Sequence, residues 1–120
     1  METNKNYPLP KNLLPVKEAI EILHGKWRIP IIAILSSGNK RFKEMKNELR
    51  GITPRMLSIE LKDMEANQLV KRTVYNDTVP AAVEYSLTPY SKSLSRVIDE
   101  LRAWRLQYHN RAFQESKHAN

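Results

Sequence analysis

Arg41-Phe42-Lys43-Glu44-Met45-Lys46-Asn47-Glu48-Leu49-Arg50-Gly51-Ile52-Thr53-Pro54-Arg55-Met56-Leu57 is the stretch that decides how this chain folds. Phe42, Met45 and Leu49 recur at helical spacing and mark the inner face of a short helix. Gly51 lies in a tight turn, where a residue without Cβ takes positive φ freely. Thr53-Pro54 then supplies an N-cap hydroxyl and a proline at the first helical position, where the missing N–H costs nothing. Two basic, amphipathic helices hinged around a glycine read as a helix-turn-helix. Along the second of them, expected over 54–66, Leu57, Leu61 and Met64 are spaced to face the core. Arg55, Met56, Ser58, Ile59 and Lys62 are left on the outward side.

Downstream, residues 69–75 alternate and are rich in β-branched side chains, and residues 83–88 alternate with Val83, Tyr85 and Leu87 on one face. The connection between them exceeds a two-residue hairpin turn, and Pro80 within it withholds a donor from edge pairing. This predicts a β-hairpin wing over 75–83. Thr88-Pro89 repeats the cap-plus-proline signal and opens a helix expected to run over 89–114. Leu94, Leu101 and Tyr108 recur on it every seven residues, with Val97, Ile98 and Trp104 interleaved, as on a helix that lies along another helix.

Upstream, residues 1–14 contain Pro8 and Pro10 with little periodicity and read as an extended arm. Pro15 is expected to start a helix over 16–24 with Ala19, Ile20 and Leu23 inward and Gly25 closing it. A second helix is expected from about Lys26, apolar almost all round and therefore central, with Pro30 tolerable only within its first turn.

The 120 residues suffice for one domain with a modest core, taken as residues 15–120 after the arm. A net charge of +7 and a sequence pI of about 9.8 favour a polyanionic partner. The chain has no cysteine, which excludes disulfides, thiolate metal sites and a thiol switch. There is no secretory h-region and no apolar run of membrane-spanning length, so a cytoplasmic location is expected. His24, His109 and His118 are isolated, and no phosphate loop, nucleophile motif or metal-ligand spacing is present. The sequence gives no reason to expect an enzyme, a metal or a cofactor.

An ordered set of motifs carries a family resemblance. Gly25-Lys26-Trp27, Lys40-Arg41-Phe42, Gly51-Ile52-Thr53-Pro54-Arg55-Met56-Leu57, Leu61-Lys62-Asp63-Met64-Glu65, Leu69-Val70-Lys71-Arg72 and Val83-Glu84-Tyr85-Ser86-Leu87-Thr88-Pro89 resemble the HxlR family of bacterial winged helix-turn-helix regulators. The resemblance spans residues 15–104 in the family's order and spacing. It implies a mostly α fold with a small antiparallel β-hairpin, and a homodimeric DNA-binding transcription regulator that pairs through its N-terminal and long C-terminal helices. Leu14 stands where many members carry a cysteine, so thiol-based sensing of quinones, aldehydes or oxidants is absent here. Ala82 stands where members often have a basic residue, which removes one charged wing contact.

For double-stranded DNA the candidate contacts are Thr53, Arg55, Met56, Ser58, Ile59 and Lys62 on the second helix of the motif. An arginine in the first turn of a recognition helix can pair with guanine O6 and N7, and Ile59 can meet a thymine methyl. Arg55 and Lys62 contacting phosphate alone is an equally open reading. Lys40, Arg41, Lys43 and Lys46 would line the bracing side, and Lys71, Arg72 and Asn76 would reach the flanking backbone. Arg72 pairing with Glu84 across the hairpin would instead make Arg72 structural. Leu94, Val97, Ile98, Leu101, Trp104 and Tyr108 form the candidate dimer seam. Trp27, Trp104 and Tyr108 read first as packing aromatics, and otherwise as the wall of a pocket for an unidentified small-molecule effector. The competing function is a winged-helix protein-interaction module that binds no specific DNA.

Overall fold

The fold was derived from a computed structural model, which describes residues 10–118 and the side chains of residues 10–108. The arm expected over residues 1–14 therefore lies mostly outside the described residues. Its end departs from the extended backbone expected, because Lys11–Leu13 forms a 3-10 turn. Helix α1 (Leu14–Ile22) follows with Pro15 in its first turn, then α2 (Arg28–Leu35), α3 (Phe42–Glu48) and α4 (Pro54–Ala66). Strands β1 (Val70–Tyr75) and β2 (Ala82–Leu87) form an antiparallel hairpin, and α5 (Pro89–Lys92) and α6 (Leu94–His118) complete the chain.

One contiguous apolar cluster joins these elements. Ile31, Ile32 and Leu35 of α2 meet Met45 of α3, Leu49 and Ile52 of the turn, Leu57, Leu61 and Met64 of α4, and Leu69, Val70 and Leu87 of the hairpin. Each of these is at most 7% exposed. Pro30 falls in the first turn of α2, where the N–H it lacks has no partner within the helix, so it neither kinks nor breaks the helix.

The ends of α4 are closed by local chemistry. Thr53 Oγ1 accepts from the Met56 N–H at 3.1 Å. At the other end Gln68 adopts a left-handed conformation, φ 60°. The Leu69 N–H then reaches the Met64 carbonyl at 2.8 Å and the Gln68 N–H reaches that of Glu65 at 3.0 Å. This is a Schellman closure with a non-glycine at its turning point, and the buried Met64 and Leu69 supply the apolar contact that accompanies it. Thr88 caps α5 and also donates to the Gln68 carbonyl at 2.7 Å, while the fully buried Ser91 donates to the Leu69 carbonyl at 2.5 Å. The root of the hairpin is thereby fastened from both sides.

Three expectations are corrected. Ile20 faces outward, Ala19 is exposed in the wall of an open cavity shared with Leu69 and Leu94, and α1 buries no residue; Leu23, at its C-cap, packs partly against the core. Helix α2 starts at Arg28 rather than Lys26 and exposes Ala33. The helix expected over 89–114 is two helices with a break at Ser93. Ser91 Oγ is drawn to Leu69, Ser95 Oγ donates to the Lys92 carbonyl at 3.0 Å, and these hydroxyls compete with the helical ladder. Truncation should report this hierarchy. Leu61→Ala is expected to lower the unfolding free energy by about 2–5 kcal/mol, and Thr53→Ala by about 1 kcal/mol. Ile20→Ala at low protein concentration should stay within about 0.5 kcal/mol. Urea denaturation measures all three.

Candidate nucleic-acid interface

Burial of Leu57, Leu61 and Met64 sets the rotation of α4. At 100° per residue, Arg55, Ile59 and Lys62 then point most directly away from the core. Ser58, half-buried, lies on one flank of that face. Met56, 41% exposed, lies on the other flank, with Glu60 and Asp63 following it toward the C-terminus. Arg55 is exposed in the first turn, beside the free N–H groups of the helix start, and Thr53 is exposed as its cap. The N-terminal half of this surface carries Arg55 and no carboxylate.

Arg41, Lys43 and Lys46 are exposed on and before α3. Arg41 occupies the N-cap, where its N–H donates to Glu44 Oε1 at 2.8 Å. Lys40 is placed differently. Its backbone exchanges hydrogen bonds with Tyr85 at 3.0 and 2.8 Å, adding a one-residue third rung to the hairpin. Its ammonium sits 3.1 Å from Glu48 Oε1, so its charge is already paired. Arg50 is exposed in the turn between α3 and α4, a cation that the helical periodicity passed over because it lies in neither helix.

The hairpin register separates the remaining cations. Arg72 pairs with Tyr85, and Thr73 pairs with Glu84. Arg72 and Glu84 therefore project from opposite faces of the sheet, which overturns the expected cross-strand pair. Lys71 and Arg72 also stand near the root of the hairpin, beside a cavity of about 420 Å³ that Glu65, Gln68, Thr88 and Tyr90 help to line. Asn76 is exposed where β1 ends. Among residues 76–81 the charge is a single carboxylate, Asp77, and Val79 is fully exposed.

On α6, Leu94 and Ile98 pack against the chain's own core, so this part of the expected dimer seam is covered within one copy. Val97, Leu101, Trp104 and Tyr108 are 46–62% exposed. Trp104 and Tyr108 stack with ring centroids 5.6 Å apart. Trp27 packs partly against the core with the Lys26 ammonium 5.0 Å over its ring. A separate cavity of about 300 Å³ lies between α1 and the start of α6, lined by Pro15, Ile22, Leu23, Tyr90 and Leu94 among others, and none of the three aromatics stands in its wall. His109 lies outside the described side chains. Among the described residues there is no cluster of three or more metal-ligating side chains, and no helix is long and apolar enough to cross a membrane.

The HxlR-like helix-turn-helix family matches residues 22–113. This chain belongs to the HxlR family. Its relative YtcD of Bacillus subtilis, an HTH-type transcriptional regulator, is 38% identical over 100 residues, which is 83% of this chain and 79% of YtcD. The solved structure of ytcD aligns with a TM-score of 0.73 at 39% identity over 79% of this chain and 96% of that one. A MarR-family transcriptional regulator from Enterococcus faecalis V583 gives a TM-score of 0.80 at 30% identity, covering 92% and 99%. The reduced form of the redox regulator HypR gives 0.72 at 35% identity, covering 85% and 98%. The protein is a winged helix-turn-helix transcriptional regulator of the HxlR type, a family of DNA-binding regulators rather than enzymes.

The register of this HxlR-family wing has a direct signature. Tyr75 donates to Glu84 Oε2 at 3.3 Å, and its pKa is raised from 10.0, chiefly by the Glu84 charge, with burial, that hydrogen bond and Asp77 adding to it. The folded chain holds the phenolic proton more tightly than the unfolded one. The contribution is therefore present below the ordinary tyrosine pKa and is lost as pH rises through the raised value. Carbon-detected NMR titration should find Tyr75 ionising later than an unperturbed tyrosine, and Glu84→Gln should remove most of the shift.

Proposed function

We propose that this HxlR-family protein is a homodimeric, cytoplasmic, sequence-specific regulator acting on double-stranded DNA, with residues 15–120 working as one unit. Helix α4 lies in the major groove and the wing over 75–83 runs beside the backbone or minor groove. The observation that carries this reading is the two-sidedness of α4. Its inner side is fully committed to the core, while Arg55, Ile59 and Lys62 remain exposed together. Arg55 is the base-reading candidate, Ser58, Met56 and Ile59 line the groove wall, and Thr53 and Lys62 meet phosphate. Arg41, Lys43 and Lys46 brace α3 against the backbone. Lys40 contributes less because Glu48 already pairs it. Asn76 is the wing's polar contact, and Lys71 and Arg72 are peripheral to it.

Dimerisation is supported by a second observation. Val97, Leu101, Trp104 and Tyr108 on α6, together with Val16 and Ile20 on α1, are exposed apolar side chains; of these two elements α6 meets the core through Leu94 and Ile98, and α1 only through Leu23 at its C-cap. A two-fold pair would present two α4 helices to half-sites about 34–36 Å apart. One module alone buries too little to select a genomic site.

Selection from random duplexes followed by binding assays tests both parts. Arg55→Ala should cost about 1–3 kcal/mol on the selected site and relax one base pair per half-site. Lys43→Ala should weaken all duplexes alike and flatten the salt slope by about one unit. Equal losses for Arg55→Ala on selected and random DNA would remove its base contact. Leu101→Glu should convert a dimer into a monomer in sedimentation velocity at micromolar protein. A wild-type chain that sediments as a monomer there would defeat the pairing.

A further inference from the structure

Arg28 is the one charged residue of α2, whose other seven positions are Ile, Pro, Ile, Ile, Ala, Ile and Leu. It is 9% exposed. Its Nη1 donates to the Ile22 carbonyl at 2.9 Å, where α1 ends. Its Nη2 pairs with the carboxylate of Asp63 and lies 3.5 Å from Glu60 Oε2, both on α4. A single guanidinium thus ties together the end of α1, the start of α2 and the second half of the helix assigned to the major groove.

We propose that Arg28 is a positioning residue for DNA reading: it fixes the rotation and tilt of α4, and with them the aim of Arg55 and Ile59. The inference rests on the DNA-reading role argued above. The apolar contacts of Leu57, Leu61 and Met64 decide which side of α4 is inside, but dispersion and burial are non-directional and tolerate small rotations. A rigid planar fork facing three acceptors does not. Stability alone is a poor reason for the arrangement, since the Asp63 carboxylate is 55% exposed and an ion pair with a solvated partner contributes little. The pairing also offsets one of the two negative charges of Glu60 and Asp63, carboxylates on the flank of α4 that repel phosphate.

The test uses the full chain and the duplex that the wild type selects, with a random duplex as reference. Asp63→Asn and Arg28→Lys should each lower the selected-to-random affinity ratio about tenfold, on the scale of one lost coupling between neighbouring charged groups. Random-duplex affinity should hold for Arg28→Lys and rise for Asp63→Asn, which removes a negative charge. If the two carboxylates only repelled DNA, Asp63→Asn would tighten both duplexes equally, and that result overturns the proposal. Arg28→Met leaves Glu60, Asp63 and the Ile22 carbonyl without their shared partner and should lower the thermal midpoint, so its ratio is read at a temperature where the protein is fully folded, and there it should still fall. An unchanged ratio in folded Arg28→Met and Asp63→Asn proteins overturns it as well. Amide exchange without DNA supplies an independent arm. Arg28→Lys should speed exchange in α4 while α3 keeps its protection, and unaltered exchange in α4 defeats the link. Should the wild type select no duplex, the regulator's sequence specificity fails, while the exchange arm still decides whether Arg28 holds α4 in place.

Discussion

Helix α4 has to satisfy two surfaces at once, and the molecule is arranged around that demand. Leu57, Leu61 and Met64 are at most 1% exposed, so α4 cannot turn without uncovering the centre of the core. A shift of one residue would rotate the helix by about 100° and carry Arg55 off the free face. Its start is fixed by the Thr53 cap and its end by the Gln68 turn, and neither closure leaves room for a change of register. The hairpin inherits this placement. Leu69 terminates α4 and its carbonyl receives Ser91, so the root of the wing is set by the same helix it follows.

Local chemistry was readable from the chain because it is written in adjacent residues. The Gly51 turn with φ 91°, the two threonine-proline starts and the alternation of Val83, Tyr85 and Leu87 all depend on neighbours within a few positions. What failed to read required knowledge of distant partners. The apolar side of α1 is visible as periodicity, but periodicity does not say what covers it: Ala19 lines an open cavity beside Leu69 and Leu94, and Ile20 is exposed. The Arg72 and Glu84 pair looked reasonable until the register put them on opposite faces. The break at Ser93 arises because a carbonyl on Leu69, far back in the chain, captures the Ser91 hydroxyl. Of the candidate site, the outward set on α4 was plain from spacing. Lys40, Lys71 and Arg72 were not, since their surroundings are set by an ion pair and by strand register.

Charge shows the same division between composition and placement. A net +7 predicts attraction to a polyanion but says nothing about which cations are available. Lys40 is paired with Glu48, and Arg28 is buried against Glu60 and Asp63, so neither adds much to the exposed field. Arg41, Lys43, Lys46, Arg50, Arg55 and Lys62 remain exposed on the helix-turn-helix itself. The wing tip adds no positive charge, only Asp77. Exposed positive charge is thus concentrated on the helical motif rather than on the wing tip.

The length of α6 poses a final physical question. Its 25 residues extend about 37 Å, yet among its described side chains, those up to Tyr108, Leu94 and Ile98 of the first two turns are the apolar ones packed on the core. Beyond them the helix carries Val97, Leu101, Trp104 and Tyr108 into solvent. Most helical stability in proteins comes from burial of an apolar face, and among the described residues of α6 beyond Ile98 the apolar side chains are exposed. The aromatic stack of Trp104 on Tyr108 covers each ring partly but leaves both more than half exposed. An exposed apolar seam of this kind is a surface that a second helix lying along it would cover. Val16 and Ile20 of α1 form a second exposed apolar surface that the core does not cover. The two-fold pair proposed above would cover these side chains and hold two copies of α4 at a fixed distance from each other.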